Sequence, residues 1–297
     1  ELARKCEIID KIEILVDGEI SVNISSFERS IPLKINFILC EPSEFFYKYV
    51  ELTSTPLHLE KINFVGLART EFFDDEEIYS ALNLQYIEPE LREGLNEVDL
   101  ALNHDIPKLI ELEDLKGILH NHTTYSDGVH TLSEMAGYCK DLGYEYLGIC
   151  DHSRTAFYAN GLQIDKVLEQ QKEIDKLNLT FSNFTVLKGI ESDILNDGSL
   201  DYPEEILKTF DFIVASVHSN LKMNEEKATE RLIKAIENPY TSILGHPTGR
   251  LLLARPGYPI NHKKVIDACA ANKVSMELKA HPYRLDIDWR WIWYCLE

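Results

Sequence analysis

The sequence has no CxxC pair and no dense cysteine framework; its six cysteines, Cys6, Cys40, Cys139, Cys150, Cys269 and Cys295, stand apart. That pattern argues against a cysteine-zinc site and a disulfide scaffold, and favours a reducing cytoplasm. No apolar run approaches membrane-spanning length, so no membrane partner is expected. Residues Glu1 to Asp10 carry no signal-peptide pattern and no initiator methionine, so the sequence reads as a piece of a longer protein. No internal repeat and no low-complexity segment is visible. Basic residues are scarce, 30 against 50 acidic ones for a net charge of −20. The shortage is concentrated in front: residues 1–116 carry 11 basic and 25 acidic side chains, net −14, and residues 117–297 carry 19 and 25, net −6. Nucleic-acid binding rests largely on Lys and Arg neutralising phosphates, so the front part is a poor candidate for gripping DNA. Its acidic runs, such as Glu71 to Glu77, read as solvated surface.

What is present is 297 residues of globular composition, enough for one large domain and a smaller one. Residues 11–39 read as a small antiparallel sheet. Ile12, Ile14 and Val16 alternate with other residues, Asp17-Gly18 is a hairpin signal, and Ile20, Val22 and Ile24 alternate again. A third run spans Leu33 to Leu39. Helical stretches follow from Pro42-Ser43-Glu44, from Pro56 to Phe64, and from Asp74-Asp75 to Leu82, the last with acidic residues in its first turn. Residues 83–116, with Pro89, Gly94 and Pro107, read as a connecting arm.

From Lys116 the pattern becomes strand, loop, helix, repeated. Strands are expected over Gly117–Leu119, Tyr144–Cys150, Thr185–Ile190, Phe212–Val217, Thr241–Leu244 and Val274–Leu278. Helices are expected from the capping box Thr131-Leu-Ser-Glu134 to Leu142, over Leu162–Leu177 and Glu225–Glu237, from Asn261 to Ala271, and from Asp286 to Trp293. Such alternation implies a parallel sheet in a barrel-like α/β domain, whose active site sits at the C-terminal strand ends.

Five of the six strands run into a plausible metal ligand: His120 and His122, Asp151-His152, Glu191, His218, and His246. His120 and His122, at i and i+2 after an apolar run, face one side of an extended chain and can reach one ion. A lone histidine is more often structural, and His58, His104, His130 and His262, away from strand ends, are assigned to surface or helix. Recurrence at successive strand ends is what argues for a rim of ligands. Imidazole and carboxylate donors without thiolate suit Zn, Mn or Fe. Glu191 could bridge two metals, and a metal pair activates water and clamps a phosphate, which implies phosphoester hydrolysis. Arg250, just after His246, could hold a phosphate oxygen or form a surface salt bridge. Asp151 is expected to orient a ligand histidine from behind rather than bind metal.

These segments, His120-Asn-His122-Thr-Thr-Tyr-Ser-Asp127-Gly, Cys150-Asp-His152-Ser, Asp197-Gly-Ser-Leu-Asp201, Val214-Ala-Ser-Val-His218-Ser and Gly245-His246-Pro-Thr-Gly-Arg250, resemble the PHP (polymerase and histidinol phosphatase) domain. The resemblance is closest to the form at the C-terminus of bacterial and archaeal family X DNA polymerases and covers residues 116–297. It implies a distorted (β/α)7 barrel with a trinuclear site and up to three divalent ions, Mn or Zn. One metal would use His120, His122 and Glu191, a second Glu191, His218 and His246, and a third Asp127 and His152. Glu191, His218 and Arg250 would be the catalytic residues. The implied activity is Mn-dependent 3′–5′ exonuclease action on DNA 3′ ends, single-stranded or gapped, in DNA repair.

The family completes its site with an Asp-x-His after a seventh strand, and the sequence ends at Glu297 ahead of such a motif. Where the family often reads Glu-Ile-Asn-Ala-Asn-Pro, this chain has Glu277-Leu-Lys279-Ala-His281-Pro, so His281 is a further candidate for metal or substrate. The front part resembles the same polymerases more weakly, as an α+β palm remnant (1–50), a thumb-like segment (51–95) and a linker (96–115). Lys11, Glu13 and Asn36 fall where an active palm places three Mg-binding aspartates, so polymerase activity is expected to be lost. The alternatives are a histidinol-phosphatase-like enzyme for small phosphomonoesters, and a truncated, non-catalytic protein.

Overall fold

The computed structural model of the chain describes residues 9–14, 19–26, 29–68 and 71–297, with side chains from Ile35 onward. Two compact units divide between Leu109 and Ile110. In the first, β1 (Ile9–Ile14), β2 (Glu19–Ser26) and β3 (Arg29–Ile38) form an antiparallel sheet in that order. The expected Asp17-Gly18 turn and Cys6 lie outside the described residues. Register aligns Glu13 with Ser21 and Ser21 with Asn36 across the three strands.

Helices α1 (Phe45–Thr53), α2 (Pro56–Lys61) and α3 (Glu76–Ala81) follow. Thr55 caps α2 by accepting the His58 amide, and Asp74 caps α3 by accepting the Glu77 amide. The stretch read as an arm is partly helical: α4 (Glu97–Asn103) buries Val98 and Ala101 in the cluster that holds Val50, Ile78 and Ile87. Two turns of helix carry too little periodicity to stand out in sequence. His58 is helical, as read, and fully buried. Its Nδ1–H donates to Glu97 at 2.7 Å and its Nε2 accepts from Tyr79 at 2.9 Å. A buried polar group keeps its place only when its hydrogen bonds are met, and here both ring nitrogens are satisfied.

The second unit carries the parallel sheet. Strands β4 (Gly117–Asn121), β5 (Tyr146–Ile149), β6 (Thr185–Asp193), β7 (Phe212–Ser216), β8 (Ile243–Leu244) and β9 (Ser275–Met276) pair in sequence order, all parallel. Helices α5 (Leu132–Asp141), α6 (Ile164–Asn178), α7 (Glu204–Leu207), α8 (Glu225–Ile236) and α9 (His262–Asn272) fill the connections. The Thr131–Glu134 capping box that opens α5 is formed in both directions. Leu132, Ala136 and Cys139 of α5 pack with Ile174 of α6 on Leu147, Ile149 and Val186. A larger cluster places Ala228, Leu232 and Ala235 of α8 and Val265 of α9 against Ile190, Ile213 and Leu244. Each fully buried Leu, Ile or Val of these clusters contributes about 1.5–3 kcal/mol.

The sheet curls into a half-barrel. The tips of its two edge strands meet through side chains: His120 of β4 donates to Glu277, just past β9, at 2.5 Å, and Lys279 donates to the His120 carbonyl at 3.2 Å. The α/β half-barrel agrees with the expected architecture. The last helix, α10 (Ile292–Leu296), starts later than expected, after a 3-10 turn over Trp289–Trp291. Asp286 is instead fully buried, accepting from the Thr248 amide and hydroxyl, and Asp288 caps the turn by accepting the Arg290 amide.

Candidate metal centre

Every strand of the half-barrel delivers a titratable side chain to one rim, and Glu191 of β6 lies in the middle. It is 1% exposed, and its Oε1 lies 3.0 Å from His120 Nε2, 3.1 Å from His218 Nε2 and 2.9 Å from His246 Nε2. Its Oε2 lies 3.1 Å from His152 Nδ1 and 3.6 Å from His122 Nε2. Two donor groups result, His120–Glu191–His246 and His122–His152–Glu191, with Glu191 common to both. Asp127 reaches the second group, 3.8 Å from both His122 Nδ1 and His152 Nε2, and is half exposed. The seven residues singled out as metal ligands are thus brought together. The grouping differs from the one implied by resemblance, since His120 and His122 fall in different groups.

The reason lies in β4. Its register with β5 breaks between Ile118 and Asn121, and His120 takes φ +58°. A left-handed backbone costs a non-glycine residue about 1–2 kcal/mol and marks a bulge that re-aims a side chain. Strict alternation therefore does not place the two rings, whose centroids are 5.6 Å apart. Two glycines make room. A Cβ on Gly245 would overlap Ser216 and crowd His120, and one on Gly128 would overlap the His122 carbonyl.

Carboxylates that sequence reading passed over hold the rings. Glu277 accepts from His120 Nδ1 and, at 2.6 Å, from the His246 amide. Asp193 accepts from His218 Nδ1 at 2.5 Å and from the Thr155 hydroxyl at 3.0 Å. Both fix the tautomer that presents Nε2 to the centre. Asp193 left a signal, at i+2 from Glu191 on the same strand face, whereas Glu277 fell inside the sixth strand as read, Val274–Leu278, and comes to its end only because β9 stops at Met276. Asp151 supports a loop and not a ring. It accepts from the Thr123 amide and hydroxyl at 2.7 Å each, from Ser126 at 2.5 Å and from Gln170 at 2.6 Å, pinning the loop that carries His122 and Asp127. Burial pushes its carboxyl up from the ordinary value.

The same burial sorts the imidazoles. It lowers His122 and His246 to about 4, and lowers His152, keeping all three neutral, the form in which histidine binds metal. At His120 and His218 burial acts downward too, but Glu191 with Glu277 or Asp193 outweighs it and holds them up at about 9 and 10. Glu191 is driven well below its ordinary value: desolvation opposes this, and His120 and His218 overcome it. Nδ1 of His122, His152 and His246 is buried without a hydrogen-bond partner among the described residues. Five imidazole nitrogens converging on a shared buried carboxylate, Nε2 of His120, His122, His218 and His246 and Nδ1 of His152, fit divalent cations, and the nitrogen and oxygen donors fit Zn or Mn.

Arg250 is not brought to this centre. Its Nε donates to the Arg284 carbonyl at 2.9 Å, its Nη2 to the Leu285 carbonyl, and its Nη1 to Asp288 at 3.0 Å. The guanidinium is committed to the loop after β9. His281 and Arg284 of that loop line a cleft of 480 Å³ that also reaches His120, His122 and Asp127.

Comparison with known proteins agrees with this geometry. The PHP domain family matches residues 119–278, more than half of the chain. A Bacillus subtilis (strain 168) protein named DNA polymerase/3′-5′ exonuclease PolX is 41% identical over 234 residues, covering 77% of this chain and 41% of that protein. Probable phosphatases of Clostridium novyi (strain NT) and Acetivibrio thermocellus are 28% and 31% identical, over 56% and 55% of this chain and 65% of each relative. The chain thus spans less than two thirds of the length of these relatives. With its matched segment carrying the whole histidine and carboxylate rim, the chain belongs to the PHP domain family.

Proposed function

We propose that the chain is a metal-dependent phosphoesterase that hydrolyses phosphodiester bonds at DNA 3′ ends. The observation that carries this is the placement of one buried carboxylate, Glu191, between two histidine groups, with His120 of one and His122 of the other lining a cleft. Metals bound there, Mn or Zn, would activate a water and polarise phosphate oxygens. The chain's own part is to orient the rings of His120 and His218 through Glu277 and Asp193 so that Nε2 faces the centre, to keep His122, His152 and His246 neutral by burial, and to exclude water from behind with the buried strand ends. Asp127, exposed at the mouth beside His122 and His152, is the donor best placed for a third ion. In this reading Glu191 and His218 are catalytic, and Arg250 acts through the loop it braces. Similarity to a relative named as a 3′-5′ exonuclease favours a diester substrate. Relatives named as probable phosphatases favour a second reading, hydrolysis of small phosphomonoesters.

The front unit, in this reading, transfers no nucleotides. Lys11, Glu13 and Asn36 stand where the resemblance implies three Mg-binding aspartates, and Glu13 and Asn36 share one row of the sheet. A lysine and an asparagine there remove the charge a hard cation needs.

The test is the protein assayed with Mn2+ on a 5′-labelled single-stranded oligonucleotide and on histidinol phosphate, beside a His120→Ala/His122→Ala variant. Stepwise shortening that disappears in the variant is expected. Turnover of histidinol phosphate alone would replace the diester reading with the monoester one. Primer extension with added nucleotides would refute the loss of polymerase activity.

A further inference from the structure

The cleft beside the metal centre has a cationic wall. His120, His122 and Asp127 line it together with Lys279 and Arg284. In a chain with 50 acidic against 30 basic side chains, a half-buried cation is expected to find a carboxylate. Arg284 has none: among the described residues it makes no ion pair, and its side chain's one hydrogen bond runs from Nη1 to the Arg250 carbonyl at 3.4 Å. Lys279 Nζ donates to the His120 carbonyl at 3.2 Å and stands 3.9 Å from Glu277, a carboxylate already engaged by His120 and the His246 amide. Arg250 and Arg284 are tied reciprocally, each donating to the other's carbonyl. Arg284, a half-buried cation with no carboxylate partner among the described residues, stands in the same cleft as Lys279, whose one carboxylate is shared with His120, and the pair calls for an anion from outside. The cleft's 480 Å³ is far more than one phosphate group fills.

We propose that Lys279 and Arg284 clamp the phosphate next to the scissile one, so that the site selects a strand end with consecutive phosphates over a lone phosphomonoester. Arg250 is the positioning residue that holds Arg284 in the wall. The clamp rests on the phosphodiesterase reading above. Arg284 supplies a planar fork suited to two phosphate oxygens, and Lys279 a point charge beside it.

The test compares wild type with Lys279→Gln, Arg284→Gln and Arg284→Lys, using Mn2+ and two substrates: a 5′-labelled single-stranded oligonucleotide and p-nitrophenyl phosphate, which carries a single phosphate. Metal content and circular dichroism are checked for each variant. For either Gln variant the KM for the oligonucleotide should rise about tenfold with kcat little changed, and the dependence of log KM on log salt should flatten by about one phosphate contact. Hydrolysis of p-nitrophenyl phosphate should stay within about twofold, and Arg284→Lys should restore part of the loss. An unchanged oligonucleotide KM, or an equal loss on both substrates, overturns the clamp while leaving the phosphodiesterase reading intact. A wild type that leaves the oligonucleotide whole overturns both.

Discussion

Glu191 faces five imidazoles with two oxygens, and its neighbours Glu277 and Asp193 decide which nitrogen two of them, His120 and His218, present. Removing an orienting carboxylate leaves the ring free to turn or change tautomer, so Glu277→Gln and Asp193→Asn should each weaken metal affinity about 10–100-fold. Titration of the metal-free protein with Mn2+ checks this; unchanged affinity would mean that the rings are held by packing alone. In the front unit, His58 is pushed below its ordinary value by burial, which outweighs the pull of Glu97. A folded-state pKa below the unfolded one means that stability is present above about pH 6.5 and is lost as pH falls through the lower value. Urea midpoints between about pH 7 and 5 should therefore decline, and His58→Gln should flatten that decline. The histidines of the rim were legible because each ends an apolar run. Arg250 was misleading for the opposite reason. A cation beside a ligand in sequence says nothing of which carbonyls will claim its guanidinium, and the half-buried cation at the cleft turned out to be Arg284, 34 residues away.

At the level of elements, strand ends and helix caps were readable and the lengths between them were not. The Thr131–Glu134 box and the Asn224 and Asn261 caps start α5, α8 and α9 with side chains accepting the N3 amides. Thr131→Ala should cost about 1 kcal/mol, seen as a lower thermal midpoint with unaltered metal content. By contrast α4 is too short to show a period, and the bulge at His120 arises from how β4 meets β5, which no local pattern records. Asp151 shows the same limit. Its place beside His152 suggested a ring to orient, yet its four hydrogen bonds go to the 123–126 loop and to Gln170 of α6. Asp151→Asn turns one acceptor oxygen into a donor that faces existing donors. It should loosen His122 and Asp127 while sparing the His120–His246 group. Metal titration would then show about one site weakened and the other retained; equal loss at both would contradict the loop assignment.

For the whole molecule, the charge balance bears on how a DNA strand would be held in the proposed reaction. With −14 on residues 1–116 and −6 on the remainder, affinity for a strand must come from local cations and from metals, not from a basic surface. Added salt should therefore weaken substrate binding with a shallow slope of only a few phosphate contacts, measured from KM between about 50 and 200 mM salt. The central claim is that Glu191 serves two metal sites at once. The measurement that tests it most directly is the Mn2+ content, by elemental analysis after dialysis, of wild type and Glu191→Gln with matched circular dichroism. The account predicts at least about two ions per wild-type chain and fewer than about one in the variant. A variant that keeps the wild-type stoichiometry would contradict it.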